Sequence, residues 1–401
     1  MTAWGLAWRS ISRSPARTVL AVSGVTVIGA LLFNMLMLSR GLLVSFSDLL
    51  DAVGFNIRVI AAQGSMVSRM PIADATSLAE AIARLPTVQR VAQVRMGSAT
   101  AIVPGDRRAA QVTLVGTTDI GAGWTMVRGS RLPTTGTPGD STPLIVSARL
   151  AADFHLEPGS TLSLRLSVPG NASALPLVPA RVVGIAVFEF EAADEFSVAT
   201  TLDGFAAAHG VADDREAEML LVSSRPGMEA PACDAIARLR VDVRVFSNAQ
   251  VLEQFNDNAF SYFRQISTVL SSLTLGFAFL LVATLLTMSV NQRLGEVAAL
   301  RALGFPRRRI AANLLWESAL LVGVGGVAAL PVGGLLAVVL DRILRNMPGV
   351  PARLHFFVFE PRVLVLHAAL LAVTAVVAAL YPIWIATRLP IAATLRREIL
   401  S

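Results

Sequence analysis

Residues 287–318 read TMSVNQRLGEVAALRALGFPRRRIAANLLWES and form a short charged connector between two hydrophobic runs, each long enough to cross a bilayer. Inside it, residues 292–303 have the apolar spacing of one amphipathic helix. Gly304 is placed to cap that helix in a left-handed conformation, and Pro306 suits the first turn of the next helix. The connector therefore predicts a helix, a break and a second helix that a soluble partner could grip. A basic loop that only fixes the topology is the alternative.

Outward from the connector, four apolar runs are long enough to cross roughly 30 Å of hydrocarbon. They cover residues 19–38, 266–290, 314–340 and 363–385. No small-residue cleavage site follows the first run, so we interpret it as a retained anchor and not as a signal peptide. The composition agrees with membrane spans in part of the chain, because 54% of the residues are hydrophobic and 15% are charged.

The basic residues predict the orientation of these spans. The N-terminal segment 1–18, the connector 293–313 and the tail 386–401 carry +3, +4 and +2, more together than the +6 of the whole chain. By the positive-inside rule these three segments are expected in the cytosol, with both termini. Three arginines between the third and fourth spans oppose this orientation more weakly: Arg342, Arg345 and Arg353. The basic charge therefore needs no nucleic acid to explain it.

The chain contains no lysine. The phosphate-binding motif G-x-x-x-x-G-K-[ST] is therefore absent, and this polypeptide is not a standard P-loop ATPase. We expect no cofactor in this chain, with ATP and magnesium bound by a separate ATPase. Cys233 is the only cysteine, so an intrachain disulfide is impossible.

The run 296–304, EVAALRALG, resembles the coupling segment of FtsX/MacB-type permeases of ABC transporters, which is roughly R-E-I-G-I-L-R-A-L-G. It departs from that pattern at Ala298, where the family has glycine. Residues 6–11 and 388–398 resemble the two ends of the family. The resemblance implies that an ATPase contacts Arg293, Glu296, Leu300, Arg301, Leu303, Gly304 and Glu317.

Amphipathic stripes flank two of the spans. One continues past the first span and one leads into the second, with no basic polar face. They predict a first helix with its stalk over 19–53 and a second stalk and helix over 248–292. Two helices lying flat on the membrane are the alternative.

Between the stalks, residues 54–247 predict one extracytoplasmic α+β domain. Strand and helix patterns in 54–95 and 213–247 form an α/β module, whose first helix has Asp74 as a possible cap. Short alternating strands with Gly/Pro turns fill a β-rich insert, 96–212. This arrangement is similar to the periplasmic domain of MacB-like permeases.

No group of residues supports catalysis or metal binding, since none of the four histidines lies at metal-ligand spacing with another. His367, in the fourth span, is interpreted as a hydrogen-bonded structural residue, with a proton relay as the alternative. Glu317 is expected either to pair with the arginines at 307–309 or to serve coupling. Four acidic residues are interpreted as a solvated loop, with a cation or partner site as the alternative: Glu189, Glu191, Asp194 and Glu195.

These observations predict a membrane α-helical protein with four transmembrane helices and an α+β extracytoplasmic domain between the first and second spans. Few charges interrupt the spans, which argues against an ion channel or a secondary transporter. By resemblance, it is the non-enzymatic permease subunit of an inner-membrane ABC transporter, a dimer with a separate ATPase and possibly a periplasmic adaptor. It would transmit ATP-driven motion and export or extract a hydrophobic or amphiphilic substrate. The alternatives are lipoprotein release and regulation of a periplasmic partner such as a wall hydrolase without transport.

Overall fold

The computed structural model describes residues 15–64, 70–106, 108–119, 123–133, 141–167, 177–210, 215–258, 260–292 and 306–388. The chain divides into two compact units. The membrane unit comprises Met1–Leu42, Ala259–Arg342 and His355–Ser401. The external unit comprises Leu43–Asn258 and Ile343–Leu354, so it includes the loop between the last two spans.

The described part of the chain contains nine helices and ten strands. The helices are α1 Pro15–Ala52, α2 Ala75–Ala83, α3 Ala148–Asp153, α4 Leu202–His209, α5 Glu229–Ala237, α6 Asn248–Asn258, α7 Phe260–Gln292, α8 Arg307–Arg345 and α9 Pro361–Arg388. The strands are β1 Ile57–Ala61, β2 Val88–Ile102, β3 Ala109–Thr117, β4 Trp124–Gly129, β5 Thr142–Ser147, β6 Thr161–Leu166, β7 Val178–Phe188, β8 Phe196–Thr201, β9 Met219–Ser224 and β10 Val243–Ser247.

Four of these helices, α1, α7, α8 and α9, are long and apolar enough to cross a membrane. Their apolar segments are Thr18–Ala52, Arg264–Gln292, Ala311–Arg345 and Pro361–Ile385. Between the first and the second lies a mixed α+β domain. The predicted fold class is therefore confirmed.

The helix α1 is continuous for 38 residues, which corresponds to about 57 Å at 1.5 Å per residue. Its C-terminal part packs against α6 inside the external unit, where the rings of Phe46 and Phe255 lie 4.8 Å apart. Asn248, the first residue of α6, donates a hydrogen bond to the Asp51 carboxylate. Residue 259 lies outside the described residues, so continuity of the second stalk with α7 stays a prediction.

All ten strands belong to one sheet, in the order β10-β1-β9-β2-β3-β8-β5-β7-β4, with β6 paired to β2 and β7. The 15-residue strand β2 joins two parts of this sheet. Its first part, up to Val94, pairs with β9, whereas its second part pairs with β3 and β6. The sequence-based boundary at 95/96 thus falls inside β2, and the two modules share a strand.

Each of the two parts of the external unit that β2 joins has its own hydrophobic core. We call the part to which α1 and α6 connect the stalk half, and the other part the distal half. The stalk half contains β10, β1, β9, α2 and α5 around buried residues such as Ile57, Ile82 and Ile236. The distal half contains β3, β5 to β8, α3 and α4 around Leu114, Leu144 and other buried residues. The chain enters the stalk half directly from α1 and leaves it directly into α6.

Side-chain caps fix the starts of two helices in the distal half, α3 and α4. The cap that the sequence predicted, Asp74 before α2, does not form. Ser147 accepts a hydrogen bond from the Leu150 amide at the start of α3, and Thr201 does the same for Gly204 in α4. Asp74 precedes α2 as predicted, yet its side chain caps no backbone amide. Asp74 has a left-handed backbone with φ 49°, and its carboxylate accepts from the Ser77 hydroxyl instead. The predicted cap is therefore wrong in its chemistry.

Candidate functional site

The predicted ATPase-coupling residues are mostly in a part of the chain that the structure does not describe. Of the seven, six lie outside the described residues: Arg293, Glu296, Leu300, Arg301, Leu303 and Gly304. The structure describes the two helices that flank them. The preceding helix, α7, ends at Gln292, and α8 starts at Arg307 directly after Pro306, as the sequence predicts to within one residue.

Glu317, the seventh coupling residue, lies three helical turns into α8 and is 3% exposed. The Ser289 hydroxyl of α7 donates a hydrogen bond of 2.9 Å to the Glu317 carboxylate. The next residue, Ser318, donates 2.9 Å to the Ala375 carbonyl of α9. A buried carboxylate is stable in an apolar environment only with such partners. These two neighbouring side chains therefore tie α8 to both α7 and α9 close to the connector.

Helices α1 and α8 cross closely and run parallel. A Cβ atom on Gly325 would lie 2.7 Å from Cβ of Val25, so only glycine fits there. Thr26 and Asn34 of α1 donate hydrogen bonds of 3.2 Å and 3.0 Å to the Gly325 and Gly333 carbonyls. Both pairs of residues are eight apart, which is close to two helical turns. Small residues that allow close packing, together with side-chain hydrogen bonds between helices, commonly stabilise the association of membrane helices.

His367 of α9 is buried at 3% exposure. Its ring packs edge-on against Phe33 of α1 at 5.5 Å. The Gly326 backbone lies near the ring, but within the described residues neither ring nitrogen has a hydrogen-bond partner of normal geometry. The Gly326 backbone is a candidate partner for the expected hydrogen bond, which stays a prediction. Gly29 also lies beside the ring, where an added Cβ atom would come within 3.8 Å of it.

The acidic residues 189–195 form the acidic segment, which links β7 to β8 in the distal half. Glu189 and Glu191 are 4% and 5% exposed, so the interpretation as a solvated loop is wrong for them. Arg149 of α3 fixes the segment by donating hydrogen bonds to the carbonyls of Ala192 and Glu195. Its guanidinium also lies over the Phe196 ring.

The partner of the acidic segment is the external loop, residues 343–354, between the third and fourth spans. Arg353 forms an ion pair with Glu189 at 2.6 Å. The Gly349 amide donates a hydrogen bond of 2.8 Å to the Asp194 carboxylate.

Backbone hydrogen bonds complete this contact. The Ala193 amide donates to the Val350 carbonyl at 3.1 Å, and the Ala352 amide donates to the Glu191 carbonyl at 2.8 Å. Ala192 and Pro351 face each other as an antiparallel bridge. Two contacts of charged side chains and two backbone hydrogen bonds therefore attach the external loop to the distal half.

Burial raises the pKa of Glu191 above its ordinary value. Hydrogen bonds from Ser147 and Ser197 and the charge of Arg149 act in the opposite direction but only partly offset the burial. Glu191 therefore favours its neutral form more than a carboxyl in water does.

The sequence reasoning missed this contact, although one signal pointed to it. The arginines of the external loop opposed the predicted orientation, and the acidic segment was assigned to the same side of the membrane. Two segments of opposite charge on one side of a membrane are candidates for pairing. Among the described residues, no group of three potential metal ligands occurs.

Two family models match the chain. The MacB-like periplasmic core domain matches residues 18–238, more than half of the chain, and the FtsX-like permease C-terminal domain matches residues 268–391. The chain belongs to the FtsX/MacB family of permeases. As a member of this family, the permease is an ABC transporter subunit of the multi-pass membrane type that partners with an ABC ATPase. A search of the curated proteins found no match.

Solved structures similar to the permease cover its external region. The periplasmic region of MacB from Actinobacillus actinomycetemcomitans is 11% identical, with a TM-score of 0.38 over 53% of this chain and 98% of that one. The extracellular domain of the noncanonic ABC-type transporter YknZ from Gram-positive bacteria is 14% identical, with a TM-score of 0.35 over 48% and 100%. A domain of a permease protein from Porphyromonas gingivalis is 13% identical, with a TM-score of 0.29 over 48% and 87%.

Proposed function

We propose that the permease works as a dimer with a separate ATPase and exports or extracts a hydrophobic or amphiphilic substrate. ATP and magnesium bind to the ATPase, and this chain has no catalytic or metal site of its own. Both termini and the connector are cytosolic, and the external unit faces the periplasm, where an adaptor could join it. The absence of a P-loop lysine supports the division of labour between the two subunits.

The hydrogen bond between Ser289 and Glu317 carries the coupling part of the proposal. It joins the two helices that flank the connector, and both partners are at most 3% exposed. An ATPase that displaces the connector would therefore move α7 and α8 as a pair. Ser318 extends the link to α9.

Export is favoured over regulation of a wall hydrolase because of the external unit. Its described part has ten strands and a hydrophobic core in each half, whereas by the family resemblance the division-type relatives carry a smaller domain. A two-part domain has room for one half to move relative to the other. Such motion suits a device that displaces a substrate.

The test changes the connector without touching the spans. Arg301→Glu reverses a charge at the proposed ATPase contact, and Gly304→Val disfavours the left-handed cap. Both variants should insert normally yet retain less than about a tenth of the copurifying ATPase. Arg301→Glu places like charges across the interface, which costs several kcal/mol, and Gly304→Val misplaces the break before Pro306. Arg128→Glu, in β4 of the external unit, serves as the control and should retain the ATPase. ATPase retained at the normal level in both connector variants would refute the coupling assignment.

A further inference from the structure

The external loop and the stalks attach to different halves of the external unit. The chain enters the stalk half from α1 and leaves it into α6. The external loop, in contrast, is bound to the acidic segment of the distal half. The loop begins with the last three residues of α8, 343–345, and leads towards α9. The first two spans therefore continue into one half of the external unit, and the last two spans into the other.

The contact between the external loop and the acidic segment has the properties of a permanent strut, by which we mean a connection that stays formed throughout the transport cycle. The side chain of Glu189 is 6% exposed, so removing its partner would leave a buried charge unpaired. The Gly349 amide of the loop donates a hydrogen bond to the Asp194 carboxylate of the acidic segment, and two backbone hydrogen bonds lie between the two side-chain contacts. On the domain side, Arg149 holds the acidic segment onto α3. The contact is thus anchored in the distal half itself and not in a free loop.

We propose that the external loop is a second mechanical connection, which transmits motion of the third and fourth spans to the distal half. The stalks transmit motion of the first and second spans to the stalk half. Because β2 is the strand that pairs with both halves, unequal motion of the two pairs of spans bends the sheet around β2 and opens or closes one half against the other. The coupling role rests on the proposed function, whereas the attachment does not.

The attachment is tested first, without any ATPase. Cysteines at Ala192 and Pro351, which face each other in an antiparallel bridge, are placed in the full-length Cys233→Ser chain. Opposed residues of this kind lie within the Cα distance that a disulfide spans. In membranes treated with a mild oxidant, the pair should crosslink nearly completely. Ala192 with Met347, four residues along the loop, is the control pair and should crosslink at least tenfold less. Equal or absent crosslinking in both pairs would refute the attachment.

Coupling is tested with spin labels at Ala152 of α3 and Ala237 of α5, which are exposed residues of the distal and stalk halves. The copurified permease and ATPase are measured with ADP and with a non-hydrolysable ATP analogue. The distance between the labels should change in the parent chain, and Arg353→Glu should reduce that change at least by half. The disulfide between positions 192 and 351 should restore the change in the Arg353→Glu chain, and reduction should abolish it again.

The outcomes separate the two proposals. If no ATPase copurifies, the proposed function fails, while the crosslinking result still decides the attachment. If the nucleotide moves the labels equally with Arg353 and with Glu at that position, the strut is refuted and the proposed function stands. If the disulfide abolishes the change in the parent chain, the loop has to detach during the cycle, which also refutes a permanent strut.

Discussion

Glu191 shows how one side chain sets the pH response of the external unit. Its pKa is raised chiefly by burial, so the folded protein binds a proton there more readily than the unfolded chain does. The stability from this group is fully present below the unfolded pKa and is lost as the pH rises through the folded pKa. The external unit therefore loses stability at this residue as the pH rises above the ordinary pKa range of a glutamate carboxyl.

Glu191→Gln should remove that loss, because glutamine keeps the shape and stays neutral. We expect the variant to have the higher thermal unfolding midpoint at pH 8 and a smaller advantage at pH 5. The fluorescence of Trp124, which is buried in the distal half, reports the transition in a full-length chain whose other four tryptophans are replaced by phenylalanine. Glu195→Gln is the matched control, since Glu195 is exposed on the same segment and should shift neither midpoint by more than about a degree. A wild-type chain that gains on the variant as the pH rises would contradict the assignment.

The environment of single residues was the least predictable feature of the sequence. By their local sequence, Glu189 and Glu191 look like members of a solvated acidic loop. The ion-pair partner of Glu189 is Arg353, more than 150 residues later, and the charge that acts on Glu191 is that of Arg149, more than 40 residues earlier. The neighbours of His367 likewise come from helices distant in the sequence, namely Phe33 of α1 and Gly326 of α8. Pairing between distant segments leaves no local pattern in the sequence.

At the level of helices and strands, the close packing of α1 against α8 depends on Gly325. Gly325→Leu would place Cβ 2.7 Å from Cβ of Val25 and 3.2 Å from the Val22 carbonyl, and neither is the end of a flexible chain. Overpacking of this kind costs about 1–3 kcal/mol. We expect a thermal midpoint lower by several degrees for the purified chain in detergent.

The control for this variant is Gly334→Leu on the same helix, where an added Cβ atom has nothing within 4 Å. It adds the same side chain to α8 and should leave the midpoint unchanged within about a degree. If the two variants are equally stable, the close crossing is absent from the protein in detergent.

Elements with an unbroken local pattern were predictable, and their pairing was not. The four apolar runs predicted the spanning helices, and the alternating patterns predicted that 96–212 is rich in strands, where β3 to β8 lie. Strand β2 is longer than any local pattern indicated, because its two ends are buried by different partners, β9 and β3. The six coupling residues of the connector lie outside the described residues, so their role rests on the resemblance alone.

Orientation is a property of the whole molecule and has a direct test. Single cysteines at positions 135 and 306 should react with a membrane-impermeant maleimide from outside and only from inside, respectively, as the basic segments predict. The native Cys233 should contribute little background, since burial and two nearby acids raise the pKa of its thiol to about 11 and thiolate is the reactive form. Cys233→Ser serves as the parent chain. Labelling at 306 from outside in intact cells would reverse the proposed topology.

The pairing of β1 with β10 has a consequence for biosynthesis. In this antiparallel pair Ile57 faces Ser247. β1 therefore cannot pair with β10 until about 190 further residues have been synthesised. Distant contacts of this kind form slowly, whereas the distal half is assembled almost entirely from one continuous stretch between β2 and α4. The distal half can therefore fold while the chain is still being translocated. The stalk half closes only when β9 and β10 have emerged, just before the second span reaches the insertion machinery.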